Sequence, residues 1–128
     1  MGFLTATYEE RRREIATDDV ESGRDALKAY YSFYVGGMGA RSKNFYSDLF
    51  GRYGYEAEAR EIQELFLGGK QAEAAAKVPD AFVDEVALVG PVERIRDRLA
   101  AWRESGATTL LVSTRDLATL RAVAEANS

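Results

Sequence analysis

The run Ala107-Thr108-Thr109-Leu110-Leu111-Val112-Ser113 is short, apolar and β-branched, and it stands in a chain that otherwise reads as helix. That is the pattern of a strand buried in a parallel sheet. A lone strand cannot satisfy its own backbone N–H and C=O groups, and a buried unpaired edge is costly. A fold for this chain must therefore supply partner strands. Two weaker candidates exist, Phe3-Leu4-Thr5-Ala6-Thr7 and Ala87-Leu88-Val89. Even together they fall short of what an alternating α/β sheet needs. Either the missing strands come from a second copy, or they belong to sequence beyond these 128 residues.

Turn signals divide the rest into short helices. Tyr8 to Ala16, with Arg11-Arg12-Arg13 flanked by Glu9, Glu10 and Glu14, reads as a solvated helix with local ion pairs. Thr17 or Asp18 can cap a second helix, with Asp19 and Glu21 in its first turn. It carries Val20, Leu27, Tyr30, Tyr31 and Tyr34 and is expected to end near Val35, before Gly36-Gly37-Met38-Gly39. A third helix is expected over Ser42 to Tyr53, with Phe45, Tyr46, Leu49, Phe50 and Tyr53 inward. A fourth spans Glu56 to Leu67, with Ile62, Leu65 and Phe66 inward, and a fifth Lys70 to Val78. Pro79 and Pro91 each suit the first residue of a further helix, because proline lacks only a donor that would be orphaned there. The helix after Pro91 has the cleanest periodicity, Val92, Ile95, Leu99 and Trp102. Thr114 or Ser113 then caps a final helix with Leu117, Leu120, Val123 and Ala124 on one face. The fold class is α/β, predominantly helical.

Composition removes whole classes of chemistry. There is no Cys and no His, which excludes a disulfide framework, a thiolate nucleophile, a Ser-His-Asp triad and zinc sites of the usual kind. The acidic groups match no calcium loop, so no metal site is expected. A net charge of −4 speaks against a nucleic-acid partner, since phosphate neutralisation needs clustered Lys and Arg. No stretch reaches the roughly 18–20 apolar residues of a membrane span. The N-terminus does not read as a signal peptide, and the cytoplasm is the expected compartment.

The run Tyr34-Val35-Gly36-Gly37-Met38-Gly39-Ala40-Arg41-Ser42-Lys43-Asn44-Phe45-Tyr46 resembles a segment of the luciferase-like oxidoreductases, in the branch that uses coenzyme F420, a deazaflavin. The similarity continues through Arg52-Tyr53-Gly54-Tyr55-Glu56, Glu61-Ile62-Gln63, Val78-Pro79-Asp80, Leu88-Val89-Gly90-Pro91 and Ser105-Gly106-Ala107-Thr108-Thr109-Leu110-Leu111-Val112. It covers most of the chain from about Asp19 onward, in order. The resemblance implies a (β/α)8 TIM barrel, typically about 250 residues. Only its C-terminal portion has a counterpart here. The chain is then a single partial domain over residues 1–128, with a helical insertion at about 42–87 and a closing helix-strand-helix at 91–128. Thr108 to Val112 resembles the last barrel strand. The earlier strands, which in the family carry most cofactor contacts and the catalytic side chain, have none.

Within that frame the candidate cofactor- or substrate-binding residues are Gly36, Gly37, Met38, Gly39, Arg41 and Asn44, with Ser113 and Thr114 after the expected strand. Glycines before a helix can bring backbone N–H groups to a phosphate or carboxylate, and Arg41 and Lys43 add charge. The bland alternative is a tight helix–helix turn with Asn44 and Arg41 as local caps. For Ser113 and Thr114 it is ordinary helix capping. The aromatic cluster at residues 30–55 can wall a substrate pocket or simply form core.

The resemblance implies hydride transfer or monooxygenation of a small organic substrate with F420, or with FMN as the alternative. The chain alone is expected to bind neither and to be inactive. Its expected partners are a missing N-terminal half or further copies of itself, with no nucleic acid and no membrane. A different reading is a non-catalytic helical module that self-associates.

Overall fold

The computed structural model describes residues 14–16, 19–106, 108, 109, 114 and 116–128. Residues 14–16 form strand β1 (Glu14–Ala16), which pairs in parallel with β2 (Leu88–Gly90). The register sets Glu14 against Leu88, Ile15 against Val89 and Ala16 against Gly90. This corrects the expected helix over Tyr8 to Ala16 at its last three residues. The charges around Glu14 favour helix locally, but every residue of β2 is buried, and its backbone needs a partner that water cannot supply. Pairing overrides propensity. The expected strand at Ala87-Leu88-Val89 is present one residue later, as β2.

Among the described residues five helices lie between the strands: α1 (Val20–Gly37), α2 (Phe45–Arg52), α3 (Glu56–Leu67), α4 (Gln71–Ala76) and α5 (Asp80–Val86). After β2 come α6 (Val92–Glu104) and α7 (Leu117–Ala126). The chain divides into two compact units, one of Arg24–Val83 and one of the described residues up to Gly23 and from Asp84 onward.

The second of these is built on the strand pair. α6 packs on β2 and on α7, and α7 also touches β1. Leu88, Ile95, Leu99, Val123 and Ala126 form its core, with Val92 against them. Of the apolar stripe expected on α6, Ile95 and Leu99 are fully buried, and Val92 and Trp102 half-buried. Gly90 ends β2 at φ 129°, a backbone region that side chains rarely adopt. A Cβ there would lie 2.5 Å from Arg94 Cδ. Arg94 uses that space to donate from Nε to Val89 O at 2.9 Å while pairing with Asp84 at 3.3 Å. Arg98 donates to the Asp84 carbonyl from one turn further on.

The helix ends differ from expectation in detail. Pro79 and Pro91 stand one residue outside α5 and α6, each offering its carbonyl to the helix's fourth N–H. Asp19 caps α1, accepting from the Ser22 amide at 3.1 Å and the Ser22 hydroxyl at 2.6 Å; Thr17 and Asp18 lie outside the described residues. Asp116 caps α7, accepting from Ala118 N at 3.2 Å and Thr119 N at 2.9 Å. The buried face of α7 is Thr119, Ala122, Val123 and Ala126, so Leu117, Leu120 and Ala124 are exposed where a core stripe was expected. Of Ala107–Ser113, Thr108 and Thr109 are described, exposed and in neither helix nor strand; the remainder of that expected strand, and the one at Phe3–Thr7, lie outside the described residues.

The Arg24–Val83 unit has an aromatic core. The Phe82 ring on α5 meets those of Phe50 at 4.2 Å, Tyr31 at 5.4 Å, Tyr55 at 5.7 Å and Tyr53 at 6.0 Å. Phe50 and Phe82 are almost wholly buried, so this cluster is core; Phe45, expected inward, is 57% exposed. Lys28 reaches from α1 to Asp80 at 2.5 Å.

Candidate functional site

The segment Gly36–Asn44 joins α1 to α2, and the structure shows what each residue does there. α1 runs through Gly36 and Gly37 instead of stopping near Val35. A Cβ on Gly36 would lie 2.4 Å from Phe66 Cβ, and one on Gly37 2.6 Å from Phe66 Cε1. These glycines let α1 and α3 approach closely. The packing outweighs a helix-propensity cost of about 1 kcal/mol for each. Met38 is exposed, Gly39 is half-buried beside Lys43 and Asn44, and Arg41 sits in a turn closed by Lys43 N donating to Ala40 O at 3.0 Å.

Asn44 is 3% exposed and works at both ends of the joint. Its Oδ1 accepts from Tyr46 N and Ser47 N, each at 3.0 Å, which caps α2. Its Nδ2 donates to Val35 O at 2.7 Å, near the end of α1. The carboxamide is thus committed to two helix termini. Gly36 and Gly37 lie within the last turn of α1. Thr114 lies in the other unit, where its Oγ1 accepts from Asp116 N at 3.1 Å. It supports the cap without being the cap. Ser113 lies outside the described residues.

What the joint does build is a cleft of about 580 Å³ beside α2 and α3. Arg41 contributes from the turn, Asp48 and Arg52 from α2, and Glu56, Arg60 and Gln63 from α3. Arg60 pairs with Glu56 at 3.6 Å. Gln63 is 8% exposed, and its Nε2 has no hydrogen-bond partner. An orphaned buried donor costs about 1–3 kcal/mol. Sequence reading singled out Arg41 but missed Arg52, Arg60 and Gln63. A usable signal was present: Ala59, Ile62, Gln63 and Phe66 share one helical face, and an amide among core positions calls for a partner.

A second groove, about 510 Å³, is lined by Ala29, Phe33, Phe66, Ala72 and Ala75. Its Ser32 hydroxyl is bonded to Ala29 O at 2.9 Å. Among the described residues no group of three or more acidic side chains is placed to hold a metal ion, and no helix is long and apolar enough to cross a membrane.

No solved structure matches the chain. A protein of Mycobacterium tuberculosis (strain ATCC 25618 / H37Rv), provisionally named as a coenzyme F420-dependent oxidoreductase, is 36% identical over 112 residues. The match covers 83% of this chain but 32% of the relative, so the chain spans about a third of the relative's length. The sequence profile of the luciferase-like monooxygenases matches residues 11–109, from before β1 to beyond α6. With most of its length matched in this way, the chain belongs to the luciferase-like monooxygenase family.

Proposed function

We propose that this chain is the C-terminal part of a luciferase-like (β/α)8 oxidoreductase. The whole enzyme uses coenzyme F420, or FMN in its place, for hydride transfer to or monooxygenation of a small organic substrate. The 128 residues by themselves bind neither cofactor and do not turn over.

The observation that carries this reading is the parallel pairing of β1 with β2 across helices α1 to α5, followed at once by α6. Consecutive parallel strands with a helical crossover are the unit from which a (β/α)8 barrel is assembled. Among the described residues the sheet has two three-residue strands, and closure into a barrel is what pairs the edges of such strands. The exposed Leu117 and Leu120 of α7 offer apolar surface to further barrel elements. Barrel active sites draw on several βα loops, and a closing segment supplies too few of them. The commitment of Asn44, Gly36 and Gly37 to a helix joint supports the absence of a cofactor site in the chain alone.

Translation of the DNA upstream of Met1 tests the first half of the proposal. The earlier barrel strands should be encoded there, in the same or a shifted frame. Upstream DNA that encodes no such strands in any frame would count against it. The exposed leucines of α7 also suit self-association, which light scattering on the purified chain distinguishes: a non-catalytic module requires a defined oligomer that folds cooperatively by itself.

A further inference from the structure

We propose that the cleft beside α2 and α3 is a binding site for a small molecule with an anionic oxygen head, a carboxylate or a phosphate. Arg41, Arg52 and the Gln63 carboxamide hold that head. The site lies wholly within the Arg24–Val83 unit, and its assignment stands apart from the redox reading of the whole enzyme.

Three observations converge. The cleft has the size of small-molecule pockets, about 300–1,000 Å³. Its charge is unbalanced: Arg41, Arg52 and Arg60 face two carboxylates, Asp48 and Glu56. Arg60 is joined to Glu56, whereas Arg41 and Arg52 have no carboxylate partner among the described residues. One surplus positive charge favours one negative charge on the ligand, and guanidinium groups bind carboxylate and phosphate with matched planar donors. The third observation is Gln63. Its Nε2 is a donor kept from water with nothing to donate to, on a residue that lines the cleft. A half-turn of the carboxamide about its last side-chain bond brings Nε2 to the cleft, where a ligand oxygen supplies the missing acceptor. Asp48 then remains to accept from hydroxyl or amine groups on the rest of the molecule.

The Gln63 amide gives the proposal a signature that a structural role lacks. Replacing an unpaired buried donor by an apolar side chain of similar shape does not weaken the empty protein. Gln63→Met should therefore leave the melting temperature of the unliganded chain unchanged or raised, yet abolish its response to the anion.

The test uses thermal melts and isothermal titration of the 128-residue chain with inorganic phosphate and with citrate, each against sodium chloride at equal ionic strength. At least one probe should bind saturably and raise the melting temperature. A response to phosphate alone assigns a phosphate head, and a response to citrate alone a carboxylate head. Arg41→Ala and Arg52→Ala should each weaken binding about tenfold, the loss of one charge-assisted hydrogen bond. Arg41 is exposed in a turn, so Arg41→Ala tests the binding without disturbing the buried face of α3. The proposal is overturned if both probes act like sodium chloride, or if the arginine variants respond as the parent does. It is equally overturned if Gln63→Met lowers the unliganded melting temperature, which would make the amide a structural element.

Discussion

Asn44 shows how one side chain sets a local fold. Its two-sided bonding to Val35 O and to the Tyr46 and Ser47 amides fixes where α1 stops and α2 begins. Asn44→Ala should lower stability by about 1–3 kcal/mol in urea denaturation, since it removes a cap and strands a buried carbonyl. Asn44→Asp should lose less, because it keeps the acceptor for α2. Half of this role is legible in the sequence, as Asn before a helical run is a common N-cap. The other half spans nine residues and depends on how the chain turns back, which no local pattern encodes. Gly36 gives a sharper contrast. Helix propensity alone says that Gly36→Ala stabilises by about 1 kcal/mol. The 2.4 Å approach to Phe66 says the reverse, and the variant should lower the urea midpoint. A double variant that also carries Phe66→Ala should not recover the loss, because alanine at position 66 keeps the Cβ that the new methyl meets.

Among the elements, those with strong internal periodicity were the readable ones. α3 occupies the expected span from Glu56 to Leu67, and the inward residues of α6 are those its spacing indicates. β1 is not legible in the sequence because its three residues carry helix-favouring neighbours and owe their conformation to β2, far away in sequence. The buried stripe of α7 differs from its sequence pattern for a related reason. Leu117 and Leu120 are the more hydrophobic residues, but the face that meets Ile95, Leu99 and β2 is lined by smaller ones. Helix ends also set the acid response. Hydrogen bonds from Ser22 hold the Asp19 carboxyl below the usual carboxylate range, and those from the Thr119 hydroxyl and the Thr119 and Ala118 amides do the same for Asp116. A depressed folded-state pKa contributes stability above the unfolded value, which is lost as pH falls through the folded one. The urea midpoint should therefore decline below about pH 4, near the unperturbed aspartate value. Asp116→Asn should shrink that decline while preserving the cap.

For the whole molecule, the aromatic hub and the strand pair make different statements. Among the described residues four rings gather around Phe82, and its removal should cost about 3–5 kcal/mol. Far-ultraviolet circular dichroism of Phe82→Ala should show a clear drop in the thermal midpoint. The sequence showed an aromatic cluster at residues 30–55 without its centre, because Phe82 joins it only through the tertiary fold. The strand pair carries the functional conclusion. Two short parallel strands, a family match over most of the chain and a third of a relative's length are the support for the proposed place of the chain in a larger enzyme. The most direct measurement is a fluorescence titration with coenzyme F420 on two proteins. One is the 128-residue chain; the other is the mycobacterial relative with its matching third replaced by residues 11–128. The chain alone should give no saturable quenching, and the chimera should bind. Stoichiometric binding by the chain alone, or a folded chimera that binds nothing, would contradict the assignment.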